Sequence, residues 1–252
     1  MPGPTASYGR VRVEVTRGAR TDVLVTARFV SYRGVDRGTA DLLTGADPVL
    51  PLGCGAVPAP APLAALAQLV PDPQQGKLEH MDAGDLTVLV DGIAIASSAS
   101  RRPALAPYVG GLEYDDQAAA IPISRGDVMI MGGGSPRTGG FETALTIAPG
   151  AEPQATWTDD GLQLTWTPAT GVADTIITIA PDRGAAAVVC RTDDTGALRV
   201  DAATLTRIAG VAPGTEVPIT VDRVRRISPP VSGLADLTLE VVARDVLTAS
   251  AR

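Results

Sequence analysis

Apolar residues recur at every second position along most of the chain, and the three-and-four spacing of an amphipathic helix is nearly absent, so strands are the expected elements. Val11, Val13 and Val15 alternate with Arg10, Arg12, Glu14 and Thr16. The next run, 23–30, sets Val23, Val25, Ala27 and Phe29 on one face, and the polar stretch between the runs, with Gly18 inside it, makes them a hairpin. Leu86, Val88 and Val90 lead through Asp91-Gly92, a dipeptide suited to a two-residue turn, into Ile93 and Ile95 as a second hairpin. The apolar run 128–131 is a further strand, and so is the alternation of Phe141, Thr143, Leu145 and Ile147 with Glu142, Ala144 and Thr146, which has one wet face.

Between the two hairpins lies a Pro- and Ala-rich excursion, 56–73, with a helix expected over 63–70 behind Pro62. Two prolines and a glycine in 148–153 close one strand pattern and precede another, which places a domain boundary and hinge near 149–154. Beyond it, Leu162, Leu164 and Trp166 alternate with Gln163, Thr165 and Thr167, and strands follow at 176–179, 187–190, 217–221 and 237–243, with a short helix at 202–208. Six or seven strands in about 100 residues match an immunoglobulin- or fibronectin-like sandwich. The expected fold is therefore all-β, with two tandem antiparallel β-sandwich domains, 1–150 and 151–252, each with a separately complete set of strands. Local hairpins without alternating strand–helix units argue against a parallel sheet.

The tract from Leu162 through Trp166 to Pro168, then 174–179, Val188-Val-Cys-Arg191, Asp194-Thr-Gly196 and Ala202-Ala-Thr-Leu205, resembles the C-terminal β-sandwich of uncharacterised, usually exported myxobacterial two-domain proteins. Asp82-Ala-Gly-Asp85-Leu-Thr-Val88, and Gly126-Asp127 ahead of 141–149, resembles the sandwich that precedes it in such proteins. The likeness covers about residues 80–250. It implies two β-sandwiches and an extracytoplasmic or cell-surface location, and it carries no activity and no site residues.

Charge and composition narrow the function. The formal net charge of −7 argues against a phosphate-neutralising surface, so no nucleic-acid partner is expected. Basic residues are almost all arginine, with Lys77 the single lysine, and the chain has no asparagine, so the arginine excess follows coding bias more than a basic surface. No run approaches the roughly 18 apolar residues of a membrane span, and the start Met-Pro-Gly-Pro has neither the charged nor the apolar region of a signal peptide. Cys54 and Cys190 match no zinc spacing. One falls in a loop of the first domain and the other in a strand of the second, so two free thiols are the expectation and a long-range disulfide the alternative.

Catalytic constellations are missing from the pattern. The lone imidazole, His80, has no nucleophile elbow to serve, so it reads as a strand or loop residue near Asp82. The pairs Asp115-Asp116, Asp159-Asp160 and Asp193-Asp194 do not spell a calcium loop and read as turns. Glycines 132–134 lack the Gly-Lys-Ser/Thr ending of a phosphate loop and read as a flexible connection. Arg223, Arg225 and Arg226 form the densest basic cluster, expected on a solvated face with 223 and 225 on one side of a strand. Tyr108, Tyr114, Asp115 and Asp116 gather beside Gly110-Gly111 in a loop-like tract and are the candidate binding residues. The expectation is a non-enzymatic structural or protein-interaction module without cofactor or metal, bound to a protein partner or to itself. A carbohydrate- or calcium-dependent binding module is the alternative, and an enzyme working through two carboxylates is a third reading.

Overall fold

The structure, a computed structural model, describes residues 5–18, 21–44, 52–58, 77–96, 101–103, 112–119, 123, 126–180, 186–211 and 214–250. The protein is mostly β, and the described strands form three sheets. The largest runs from edge to edge as β3 (Gly53–Pro58), β14 (Ala186–Thr192), β13 (Asp174–Ile179), β16 (Glu216–Ile227), β17 (Asp236–Ser250), β1 (Ala6–Arg17), β2 (Asp22–Arg33), β8 (Leu112–Ala119) and β7 (Arg101–Pro103). A tenth strand, β4 (Lys77–His80), pairs with β2. A four-stranded sheet holds β10 (Phe141–Thr146), β9 (Asp127–Gly132), β5 (Leu86–Val90) and β6 (Ile93–Ala96), and a three-stranded sheet holds β11 (Gln154–Thr158), β12 (Gly161–Thr165) and β15 (Ala197–Asp201).

The hairpin of β1 and β2 forms with Val11 opposite Ala27, Val13 opposite Val25 and Val15 opposite Val23, the register that puts all six on one face. Asp91 and Gly92 turn β5 into β6 with φ of 49° and 81°, the paired positive values that a two-residue hairpin of matching twist requires. The helix expected at 63–70 and most of the excursion lie outside the described residues, but 53–58 is strand.

Two separately complete strand sets are not what forms. β1 lies parallel to β17 from Tyr8 opposite Asp236 to Arg17 opposite Asp245, so strands from both sides of 149–154 share one mixed sheet. A period-two pattern shows which face of a strand is buried and is silent on its neighbour, so β17 read equally well as the last strand of its own domain. The cores do divide near the expected boundary. One gathers Val11, Val13, Val88, Val128, Ile130, Leu239 and Val241, and the other Leu162, Leu164, Ile177, Val188, Cys190 and Ile219. Each small sheet thus packs on the same face of the large one.

The crossing between the cores is pinned, with Pro149 exposed between two buried alanines, where a hinge was expected. Ala148 and Ala151 are buried. Arg17 donates to Ala148 O, and the Ala151 N–H donates to Asp245 Oδ2 at 2.8 Å. Arg223 Nη1 donates to Pro149 O at 2.9 Å and Gly150 O at 3.0 Å. Alternation carries Arg223 onto the inward face in step with Val217, Ile219 and Val221, so this arginine is fully buried and the solvated reading does not hold for it. Its charge is met by Asp194 at 3.3 Å, and it also donates to Thr167 O.

The cysteines are joined by a disulfide, correcting the free-thiol expectation. The shared sheet is the reason: β3 pairs with β14, and Cys54 falls directly opposite Cys190.

Candidate functional site

The large sheet has one face in the two cores and one turned away from both. When Val11, Val13 and Val15 point inward, Arg10, Arg12 and Glu14 must point to the other face, and the same parity puts Glu240 and Arg244 of β17, Asp222 and Arg226 of β16, Asp174 of β13 and Arg191 of β14 on that face with them. Strand register then sets opposite charges side by side: Asp222 stands opposite Arg244, and Glu240 stands between Arg226 on one flank and Arg12 on the other.

A continuous ion-pair lattice results. Glu240 accepts from Arg10 Nη2 at 2.7 Å and from Arg226 Nε at 2.7 Å. Asp174 accepts from Arg191 Nε at 2.6 Å and from Arg226 Nη1 at 3.2 Å. Arg244 grips Asp222 with two bonds of 2.7 Å and also donates to Glu14, which Arg12 reaches at 3.2 Å. The carboxylates form the floor: Glu240 is 2%, Asp222 3% and Asp174 5% exposed. The five arginine side chains that pair with them are more open to solvent, at 17–36% exposure, and Asp236, 44% exposed, lies at the Tyr8 end of the same face.

All of these side chains but Glu14 line a recess of about 400 Å³, together with Asp41 and Asp236. Val57, Ile176, Thr178 and Val189 make its end toward β3. The opposite end is bounded by Tyr8 and by the helix α1 (Arg37–Leu43), capped by Asp36, whose Arg37 stacks over the Tyr8 ring at 3.4 Å. Burial pushes the Tyr8 phenol well above its ordinary range, so it stays neutral.

Burial would raise the carboxyl of Glu240, but Arg10 and then Arg226 outweigh it and hold its pKa below the usual glutamate value. A carboxyl depressed in the folded state adds stability that is fully present above its unfolded pKa of about 4.3 and is lost as pH falls through the folded value. Urea midpoints are expected to show the Glu240 contribution level above about pH 5 and declining below about 4.3. A Glu240→Gln variant should be less stable at neutral pH and lose less on acidification.

Of the candidate residues read from sequence, the described ones lie elsewhere, on β8. Tyr108 is outside the described residues. Tyr114 is 3% exposed inside the first core, edge-to-face with Phe29, so it offers no ring to a ligand. Its hydroxyl accepts from the Ala83 N–H at 2.9 Å and lies within donating distance of Gly84 O at 3.0 Å and Asp82 Oδ1 at 3.1 Å. Asp115 and Asp116 belong to β8, opposite Thr26 and Val25, where a loop was expected. The polar run 113–117 masked the strand, whose signal was the alternation of Leu112 and Tyr114. Tyr114→Phe removes the partner of a buried N–H and is expected to cost about 1–3 kcal/mol in urea denaturation.

Asp159-Asp160 turns β11 into β12, where Asp160 pairs with Arg199 at 2.8 Å, and Asp194 serves Arg223 and the Trp166 Nε1–H at 2.6 Å. Glycines 132–134 are a close-packed crossing and not a flexible connection: a Cβ on Gly84, at φ +80°, would sit 2.0 Å from Gly134 O. Arg225 does share the face of Arg223 and donates to Thr146 O and Thr170 O at 3.2 and 3.0 Å, while Arg226 faces the lattice. His80 is buried at the end of β4. Among the described residues, no three His, Cys, Asp or Glu side chains converge as a metal site, and no helix is long and apolar enough to cross a membrane.

No family model and no curated protein matches the chain. A solved structure that aligns with it is the Fcho1 Mu homology domain of Danio rerio with bound Eps15 peptide, at 9% identity over 98% of this chain and 97% of that one, with a TM-score of 0.29. A likeness this distant transfers no role to the residues described above.

Proposed function

We propose that this protein is a non-enzymatic interaction module that docks an acidic segment of a partner protein on the arginine-covered face of its large sheet. The observation that carries the reading is the layering of charge: the carboxylates of Glu240, Asp222 and Asp174 are 2–5% exposed, and the five arginines paired with this face are 17–36% exposed. A guanidinium has five N–H donors in a fixed planar fork that matches carboxylate geometry, so a surface covered by arginines suits an acidic segment. Pairing to the floor also holds the forks in place, which lowers the ordering cost of binding. Both sulfurs are committed to a disulfide and the single imidazole is buried, which supports a binding role over nucleophilic chemistry. The disulfide also supports the extracytoplasmic placement, since such bonds persist in oxidising compartments. A protein partner is favoured over a glycan because Tyr114 is a core residue.

Arg12→Gln together with Arg191→Gln tests the reading without stranding a buried charge. Asp174 keeps Arg226, Glu240 keeps Arg10 and Arg226, and both Asp222 and Glu14 keep Arg244. By fluorescence anisotropy, binding of a labelled hexaglutamate peptide should weaken about tenfold in this variant and fall with added salt. Equal binding by variant and wild type, or no binding by either, would defeat the proposal.

A further inference from the structure

We infer that Cys54 is a thiol-exchange site, at which a small thiol from solution opens the disulfide and frees β3 from the edge of the large sheet. The bond joins two positions that stand directly opposite each other, so it runs from one strand toward the next. A thiolate displaces one sulfur of a disulfide by approaching the other from the far side, so what lies behind each sulfur decides where attack occurs. Behind Cys190 is β13, whose Ile177 stands opposite it, and both residues are fully buried in the second core. Cys54 is exposed, and β3 is the last strand on that side of the sheet among the described residues. Attack is therefore open at Cys54 and closed at Cys190.

The exchange needs no reactant besides the thiol. Its sulfur bonds to Cys54 Sγ as the bond between Cys54 and Cys190 breaks, the electron pair leaves on Cys190 Sγ, and that sulfur takes up the proton the incoming thiol gave up. A mixed disulfide at Cys54 and a thiol at Cys190 result, the latter among Ile177, Ile179 and Val188, where an apolar setting favours the neutral thiol. Opening the bond removes most of what holds β3. Gly53, Cys54, Gly55 and Ala56 are exposed and Val57 is half-buried, so these residues add little to either core, and glycine is costly to order in a strand. Only the backbone pairing of one six-residue edge strand remains. Its departure uncovers the edge of β14 from Ala186 to Arg191 for pairing with another strand.

The test treats the native, oxidised protein with millimolar glutathione, quenches it in acid, blocks free thiols with N-ethylmaleimide after denaturation and maps the labelled peptides by mass spectrometry. Glutathione should sit on Cys54 and the maleimide on Cys190, in at least about tenfold excess over the reverse isomer. Hydrogen exchange on the same product should show 53–58 and the β14 amides that face them deprotected, with β1, β16 and β17 as protected as before. Cys190→Ala and Cys54→Ala each leave one thiol, and the thiol at 54 should react with Ellman's reagent about a hundredfold faster than the one at 190. Glutathione on Cys190, an even mixture, or no mixed disulfide until denaturant unfolds the protein would overturn the exchange site. Glutathione on Cys54 with 53–58 still protected would overturn the release of β3, and so would loss of protection throughout the chain.

Discussion

Replacing Arg223 by Met is expected to destabilise the protein by about 3–5 kcal/mol, the usual cost of removing one partner from a buried ion pair. Arg223 is 0% and Asp194 5% exposed, so the four acceptors that Arg223 serves lose it in a buried setting. Those acceptors are Pro149 O, Gly150 O, Thr167 O and Asp194, so the loss falls on the crossing between the two cores and on the turn after Trp166 together. A domain's whole stability is typically about 5–15 kcal/mol, which makes this one side chain a large fraction of it. Equilibrium urea unfolding measures the cost. Native-state proteolysis adds a local readout, because the variant should become cleavable at 148–151 where the wild type resists. Lysine at this position keeps the charge but cannot reach three carbonyls and a carboxylate in one plane, so Arg223→Lys should recover less than half of the loss. In a double-mutant cycle with Asp194→Asn, the two changes should cost less together than the sum of the singles.

The disulfide carries the second large effect. Thiol titration of the denatured, unreduced protein should find no free thiol. Cys54→Ser with Cys190→Ser should lower stability by about 2–5 kcal/mol. The two residues are 136 positions apart, and a cross-link that closes so long a loop restricts the unfolded chain strongly, about 5 kcal/mol in the chain-entropy limit. Recovery of two thiols would mean that β3 does not lie against β14.

What the sequence made legible was local. The hairpin of Val11, Val13 and Val15 with Val23 and Val25, and the turn at Asp91-Gly92, follow from alternation and turn chemistry within about twenty residues of chain. The partnership of β1 with β17 does not, because both strands alternate in the same way and nothing in either names the other across more than 200 positions. The disulfide was hidden for the same reason. Parity did contain the position of Arg223, which continues Val217, Ile219 and Val221 inward, but three arginines within four positions invited a reading by charge instead. The lattice was half legible. Arg10, Arg12 and Glu14 are visibly the outward side of β1, and Glu240 and Arg244 of β17, yet only register brings Glu240 between Arg12 and Arg226. Tyr114 shows the opposite failure: neighbouring aspartates made a core tyrosine look like part of a surface loop.

The docking face is tested most directly by the arginine Nε–H resonances of ¹⁵N-labelled protein titrated with the hexaglutamate peptide. The account predicts saturable shifts at Arg10, Arg12, Arg191, Arg226 and Arg244, with the buried Arg223 unmoved. Shifts confined to other surfaces, or an unchanged spectrum at saturating peptide, would contradict it.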